Sequence, residues 1–91
     1  MNSKQTRTLE SIFTDPIKSD IKWKDIESLF EALGGEIEER SGSRVSFVID
    51  GLSKTFHRPH PSPNTKTYAV KAVRNLLMDA GITRKGRVND D

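Results

Sequence analysis

His57 and His60 are the only histidines in a chain of 91 residues, and both fall in one short run, Phe56-His57-Arg58-Pro59-His60-Pro61. Imidazole titrates near neutral pH, so it can serve as a general base or a general acid. Arginine offers a planar fork that holds a phosphate through paired hydrogen bonds. Metal-free cleavage of RNA needs these types. A base takes the 2′-hydroxyl proton, an acid protonates the leaving 5′-oxygen, and a cation steadies the charged phosphorane. The spacing alone is a weak signal, because strand neighbours three apart point to opposite faces. Both imidazoles reach one phosphate only if Pro59 turns the chain. Two histidines with no acid beside them argue against a zinc site, and no cofactor is expected.

The bland readings are simple. His57 next to Phe56 could merely flank a core, and His60 between two prolines could be an exposed loop residue. Arg44 could be an ordinary solvated strand residue, and Lys71 with Arg74 the wet side of a helix. Trp23 reads as a core residue rather than a base-stacking platform.

Charge favours a polyanion. Residues 1–50 carry seven Lys/Arg against ten Asp/Glu, whereas residues 51–78 carry Lys54, Arg58, Lys66, Lys71 and Arg74 and no acid. A 28-residue window free of carboxylates and holding both histidines would give part of the surface a positive potential. Nucleic acid is the natural partner of such a surface, since phosphate contacts dominate its affinity. The absence of cysteine excludes disulfides, thiolate catalysis and Cys-based zinc sites. No apolar run is long enough for a signal sequence or a membrane span, so the expected address is the cytoplasm. A chain this short makes one domain and buries about 60 to 65 per cent of its unfolded surface. Chemistry is therefore expected on an open face or in a shallow groove.

The elements that must position these residues follow from periodicity. Residues 1–8 are polar and are expected to fray. Leu9, Ile12 and Phe13 fall at i, i+3, i+4 and predict a short helix that ends at Asp15-Pro16. Ser19 or Asp20, or a start nearer Lys22, would begin a second helix with Ile26, Leu29, Phe30 and Leu33 as its apolar stripe. Gly34-Gly35 stops it. Glu36–Arg40 predicts a first strand with Ile37 inward, and Ser41-Gly42-Ser43 turns the chain. Val45, Phe47 and Ile49 share the buried face of a second strand. Asp50-Gly51 is a hairpin turn. The third strand runs to about Arg58, with Phe56 inward and Thr55 and His57 outward. Pro59, Pro61 and Pro63 then force an extended loop. Thr65 or Thr67 could cap a last helix, whose stripe is Val70, Val73, Leu77 and Ala80, with Leu76 adjoining, and Gly81 ends it. Residues 83–91 are expected to be a flexible tail. The order α-α-β-β-β-α predicts an α+β domain with both main helices on one side of the sheet. The other face is left open, with Arg44, His57, Arg58 and, if the loop turns back, His60 on it or at its edge.

From GSRVSF through FHRPHP to a helix ending in AGI, the sequence resembles the HicA toxins of bacterial type II toxin–antitoxin modules. The resemblance runs from about Lys22 to Ile82. It includes the helix closing on Gly-Gly, the Gly42-Ser43 turn, the His60-Pro61 pair and the run Val73-Arg74-x-Leu76-Leu77-x-x-Ala80-Gly81-Ile82. It implies a double-stranded-RNA-binding-domain-like fold: a three-stranded antiparallel sheet with helices packed on one face, plus an N-terminal helix here. It also implies a ribonuclease that cuts messenger RNA and stops translation, and a HicB-like antitoxin that covers the active site. The expected layout is an extension at 1–18, a HicA-like domain at 19–82 and the tail at 83–91.

One departure matters. Many HicA proteins have Gly-Ser-His at the turn, and that histidine is regarded as catalytic; here the matching residue is Arg44. Either His57 or His60 has taken over proton transfer, or catalysis is weak and electrostatic, or the protein binds RNA without cutting it. The density of the His-Arg-Pro-His cluster favours the first. The expected catalytic residues are then His57 and His60. The expected RNA contacts are Ser43, Arg44, Lys54, Arg58, Lys66, Lys71 and Arg74. The rivals are a non-catalytic RNA-binding module and, more weakly, a domain whose basic surface recognises an acidic protein.

Overall fold

A computed structural model describes residues 1–87 of the chain. The elements run α1 (Ser3–Ile12), α2 (Trp23–Ala32), β1 (Glu36–Glu39), β2 (Arg44–Ile49), β3 (Leu52–His57), α3 (Thr67–Asp79), β4 (Ile82–Thr83) and β5 (Gly86–Arg87). The first three strands form an antiparallel sheet in the order β1-β2-β3. Val45, Phe47 and Ile49 of β2 are buried on one face, as their alternation requires. They join Phe56 and the stripes of α2 and α3 in a single core. Within it Phe47 lies 4.5 Å from Phe30, 5.0 Å from Phe56 and 5.4 Å from Trp23, ring centre to ring centre.

Local chemistry sets the turns. Asp50 and Gly51 both take positive φ, 51° and 80°, which is the backbone a two-residue hairpin of matching twist needs. At the end of α2 the two glycines do different jobs. Gly34 supplies the left-handed residue after the helix, with φ 94°. Gly35 is there for space: a Cβ on it would stand 2.3 Å from Cε2 of Phe30, whose side chain is fully buried. Gly35→Ala is therefore expected to destabilise the fold by about 1–3 kcal/mol through overpacking alone. Urea unfolding of the two proteins measures it, and an unchanged midpoint would contradict the close approach.

Two segments depart from expectation. Residues 3–8 do not fray but form most of α1. The Asn2 side chain accepts from the Gln5 amide at 2.8 Å while the Gln5 side chain accepts from the Asn2 amide at 2.9 Å, a reciprocal cap that holds the first turn. α1 then packs on α2 and α3 through Leu9 and Ile12. Residues 83–87, expected as the start of a flexible tail, lie in the β4–β5 hairpin. Arg87 secures it by donating to the Leu33 carbonyl (3.0 Å) and to the Asp50 carboxylate (2.9 Å). The rest of the expected tail, residues 88–91, lies outside the described residues. Among the described residues no helix is long and apolar enough to cross a membrane.

Candidate functional site

β3 ends at His57 because the prolines that follow have no amide to continue a ladder. The chain then crosses in front of the start of α3, tied back by a bridge between Lys22 and Asn64 and by the Thr65 amide donating to the Ile21 carbonyl at 2.8 Å. Between this loop, the end of β3 and the first turn of α3 lies an open groove of about 800 Å³. His57 and His60 both line it, with Arg58 and Lys66, and Trp23 contributes to its apolar lining. Both histidines are exposed, and neither side chain makes a hydrogen bond among the described residues. Among the described residues no carboxylate lines the groove.

The α3 side of the groove is rich in unused donors. Lys66 takes the N-cap position, where its side chain cannot accept a hydrogen bond, and the first turn holds no acid. The amides of Ala69 and Val70 turn back to the Lys66 carbonyl, but those of Thr67 and Tyr68 donate to nothing among the described residues. Thr65, a possible cap on sequence grounds, caps nothing. Its residue is 2% exposed, and its Oγ1 is the buried side-chain polar atom left without a partner among the described residues.

This order of elements, with a Gly-Ser turn before β2 and the His-Pro pair lining the groove, belongs to a recognised family. The family model of the HicA toxin of bacterial toxin–antitoxin matches residues 23–82, about two-thirds of the chain. The protein belongs to the HicA toxin family. It is thus the toxin of a toxin–antitoxin module, with an antitoxin as its partner. No curated protein and no solved structure gives a match. α1 lies outside the matched span.

The expected RNA contacts of this toxin separate into several places. Arg44 and His57 are directly opposed across β2 and β3, so they share the open sheet face. Arg44 is exposed, and its guanidinium folds onto the turn, donating to Ser41 Oγ at 2.7 Å. Ser43 is exposed in that turn, its carbonyl accepting from the Arg58 amide. Lys54 stands opposite Phe47, on the other side of the sheet and away from the groove, and Lys71 is exposed one turn into α3. Neither reaches the groove lining.

Arg58 and Arg74 are committed to the protein's own acceptors. Arg58 was expected on or at the edge of the open face, but its guanidinium turns toward α2. It donates to Glu27 at 2.9 Å and, in a two-pronged pair, to Glu39 at 2.7 Å on each oxygen. Glu27 also accepts from the Trp23 indole N–H. Arg74 donates to the carbonyls of Ile12 (2.7 Å) and Thr14 (2.9 Å) and to Asp15 (3.0 Å), with its guanidinium over the Phe13 ring. The acid-free window of the sequence is not acid-free in space.

The Arg58 guanidinium holds the Glu39 carboxyl below its ordinary range, and the same pair pushes the Arg58 pKa up. A carboxyl depressed on folding stabilises the fold at neutral pH and loses that contribution as pH falls through its folded pKa. The stability gap between the wild type and Arg58→Met is therefore expected to be widest near pH 7 and to shrink below about pH 4. Thermal unfolding against pH reads it. A gap independent of pH would mean that the pair carries no linkage. Both partners are well exposed, so the effect is modest.

The start of α3 falls at Thr67, where a cap at Thr65 or Thr67 was expected, but Tyr68 in the groove lining was not singled out. Tyr68 lies off the Val70–Val73–Leu77 stripe and is 72% exposed. An aromatic that a helix does not bury was the available signal.

Proposed function

We propose that this HicA toxin is a metal-independent endoribonuclease that cleaves messenger RNA in the groove between β3, the proline loop and α3. The observation that carries this reading is that His57 and His60 line one groove, although their spacing on a strand would have separated them. One imidazole takes the 2′-hydroxyl proton and the other protonates the leaving 5′-oxygen. The bond from the 2′-oxygen to phosphorus forms as the bond to the 5′-oxygen breaks, leaving a 2′,3′-cyclic phosphate. Lys66 supplies positive charge in the groove, and Arg44, opposite His57 but outside the groove lining, adds charge at its edge. Arg58 and Arg74 have no part in this contact set, and Lys54 and Lys71 remain outlying contacts. A HicB-like antitoxin would cover the groove. Complementary potential would speed its association if its docking surface is acidic.

A specific observation favours a second reading. At the turn where the family resemblance places a catalytic histidine, Arg44 stands instead, held on Ser41, and a guanidinium is a phosphate-binding fork rather than a proton-transfer group. The protein would then bind RNA without cutting it. Incubating the purified toxin with single-stranded RNA in EDTA separates the two. The first reading expects fragments with 2′,3′-cyclic or 3′-phosphate ends; salt-sensitive binding with no cleavage over hours would establish the second.

A further inference from the structure

We infer that Tyr68 is the platform of a nucleobase subsite: its ring takes the face of one base of the RNA strand that the groove holds. This rests on the reading of the groove as the RNA site. It adds a contact to a base, where the imidazoles and Lys66 act on the sugar-phosphate backbone.

Exposure alone would decide nothing, because single apolar residues are common on protein surfaces. Met1 and Met78 are exposed as well, but neither lines the groove. Tyr68 does. It is the second residue of α3, two before the fully buried Val70, and the helix buries Val70, Val73 and Leu77 without it. Trp23, Phe30, Phe47 and Phe56 pack ring against ring in the core, and Tyr68 joins none of those pairs. Its hydroxyl makes no hydrogen bond among the described residues. An uncovered ring forgoes the stabilisation that burial would return, and Tyr is a weaker helix former than Ala or Lys. Core packing and helix propensity both leave this residue unexplained.

The rest of the lining defines the ligand. Pro59, Pro61 and Trp23 add apolar surface, and the Trp23 indole is fixed by donating to Glu27. His57, His60 and Lys66 carry or can take positive charge, and among the described residues no carboxylate opposes them in the lining. A ligand for both halves needs a flat apolar face and a negative charge. An apolar peptide would use the ring and leave the cations unpaired; inorganic phosphate would do the opposite. A nucleotide carries both. Proteins that hold single strands combine the same two features, an aromatic plate for bases and a positive groove for phosphates. The groove volume of about 800 Å³ falls within the roughly 300–1,000 Å³ of sites that hold small organic ligands. Every base has a π face, so the subsite holds a base without strongly selecting which one.

The test titrates the full-length protein with a short 2′-O-methyl RNA and with the same backbone lacking its bases. The methylated strand has no free 2′-hydroxyl, so the proposed route cannot cleave it. The wild type should bind the base-bearing probe more tightly than the abasic one. Tyr68→Ala should weaken the first about five- to a hundredfold, the effect of one stacked base, and leave the second unchanged. Tyr68→Phe and Tyr68→Trp keep a plane and should retain the affinity. Tyr68→Leu keeps apolar bulk without a ring and should fall with Tyr68→Ala. In NMR spectra of the complex, protons of one base should shift upfield over the wild-type ring and lose that shift in Tyr68→Leu. Tm should be unchanged in every variant, because the side chain lies outside the core.

If Tyr68→Ala binds the base-bearing probe as tightly as the wild type, the inference fails while the RNA reading of the groove stands. It also fails if Tyr68→Leu binds like the wild type. The ring would then be a plain apolar contact, suited to a side chain of the antitoxin. A wild type that binds neither probe overturns the RNA reading and the subsite with it. Stacking without cleavage of unmodified RNA overturns only the endoribonuclease reading and supports the subsite.

Discussion

His60→Ala is expected to lower RNA cleavage by about two to four orders of magnitude and to abolish growth arrest in cells. His57→Ala should do the same. The reason is positional. Both imidazoles line the groove, and neither hydrogen-bonds to the protein among the described residues. Neither belongs to the core. Each removal should therefore change stability by no more than about 0.5 kcal/mol, as for an ordinary exposed side chain. If the two act in one proton relay, as proposed, the double variant should be little slower than the slower single one. Cleavage of a labelled RNA, growth curves and thermal unfolding together measure this. Two folded single variants that retain full toxicity would sink the assignment of the histidines, and additive losses would argue against a shared step.

Arg74→Met should instead cost stability and spare RNA binding. Its side chain is 15% exposed and satisfies the Ile12 carbonyl at the last turn of α1 and the Thr14 carbonyl just beyond. The free carbonyls at a helix C-terminus favour a cation, and here the cation comes from another helix. Removing it leaves those acceptors to find water and frees Asp15. The expected loss is about 2–4 kcal/mol, which in a domain of this size lowers Tm by roughly 10 °C or more. Chemical denaturation and a salt-dependent RNA-binding titration decide the matter together. If Arg74 touched RNA, the variant would keep its stability and lose affinity. The contacts predict the reverse. They also give the N-terminal extension a physical role: α1 closes the outer side of α2 and α3, with Arg74 as its clasp.

Much of this was legible one residue at a time. The alternation in Val45-x-Phe47-x-Ile49, the positive-φ pair Asp50-Gly51 and the stripe Ile26-Leu29-Phe30-Leu33 each specify a local geometry with no reference to the rest of the chain. Burying the faces they create leaves little freedom, so the sheet and the two helices over it followed. The hairpin Ile82–Arg87 did not. Two-residue strands carry no readable period, and this pair is held by Arg87 reaching Leu33, 54 residues earlier.

The candidate site divides in the same way. Sequence by itself determined that imidazoles, arginine and lysines would crowd one stretch between a hairpin and a helix, and that three prolines would make that stretch leave the sheet. It could not say which cations stay free. Charge along a chain is a one-dimensional count, whereas a guanidinium is neutralised by whatever carboxylate lies within about 4 Å in space. Arg58 meets Glu27 from 31 residues away, and Arg74 meets the end of α1 from 62. Only the tertiary structure withdrew those two, brought His57 and His60 to one groove, and buried the Thr65 hydroxyl without a partner among the described residues. Periodicity and turn chemistry are local, and a lone hydroxyl or a free cation is defined only by its neighbours in three dimensions.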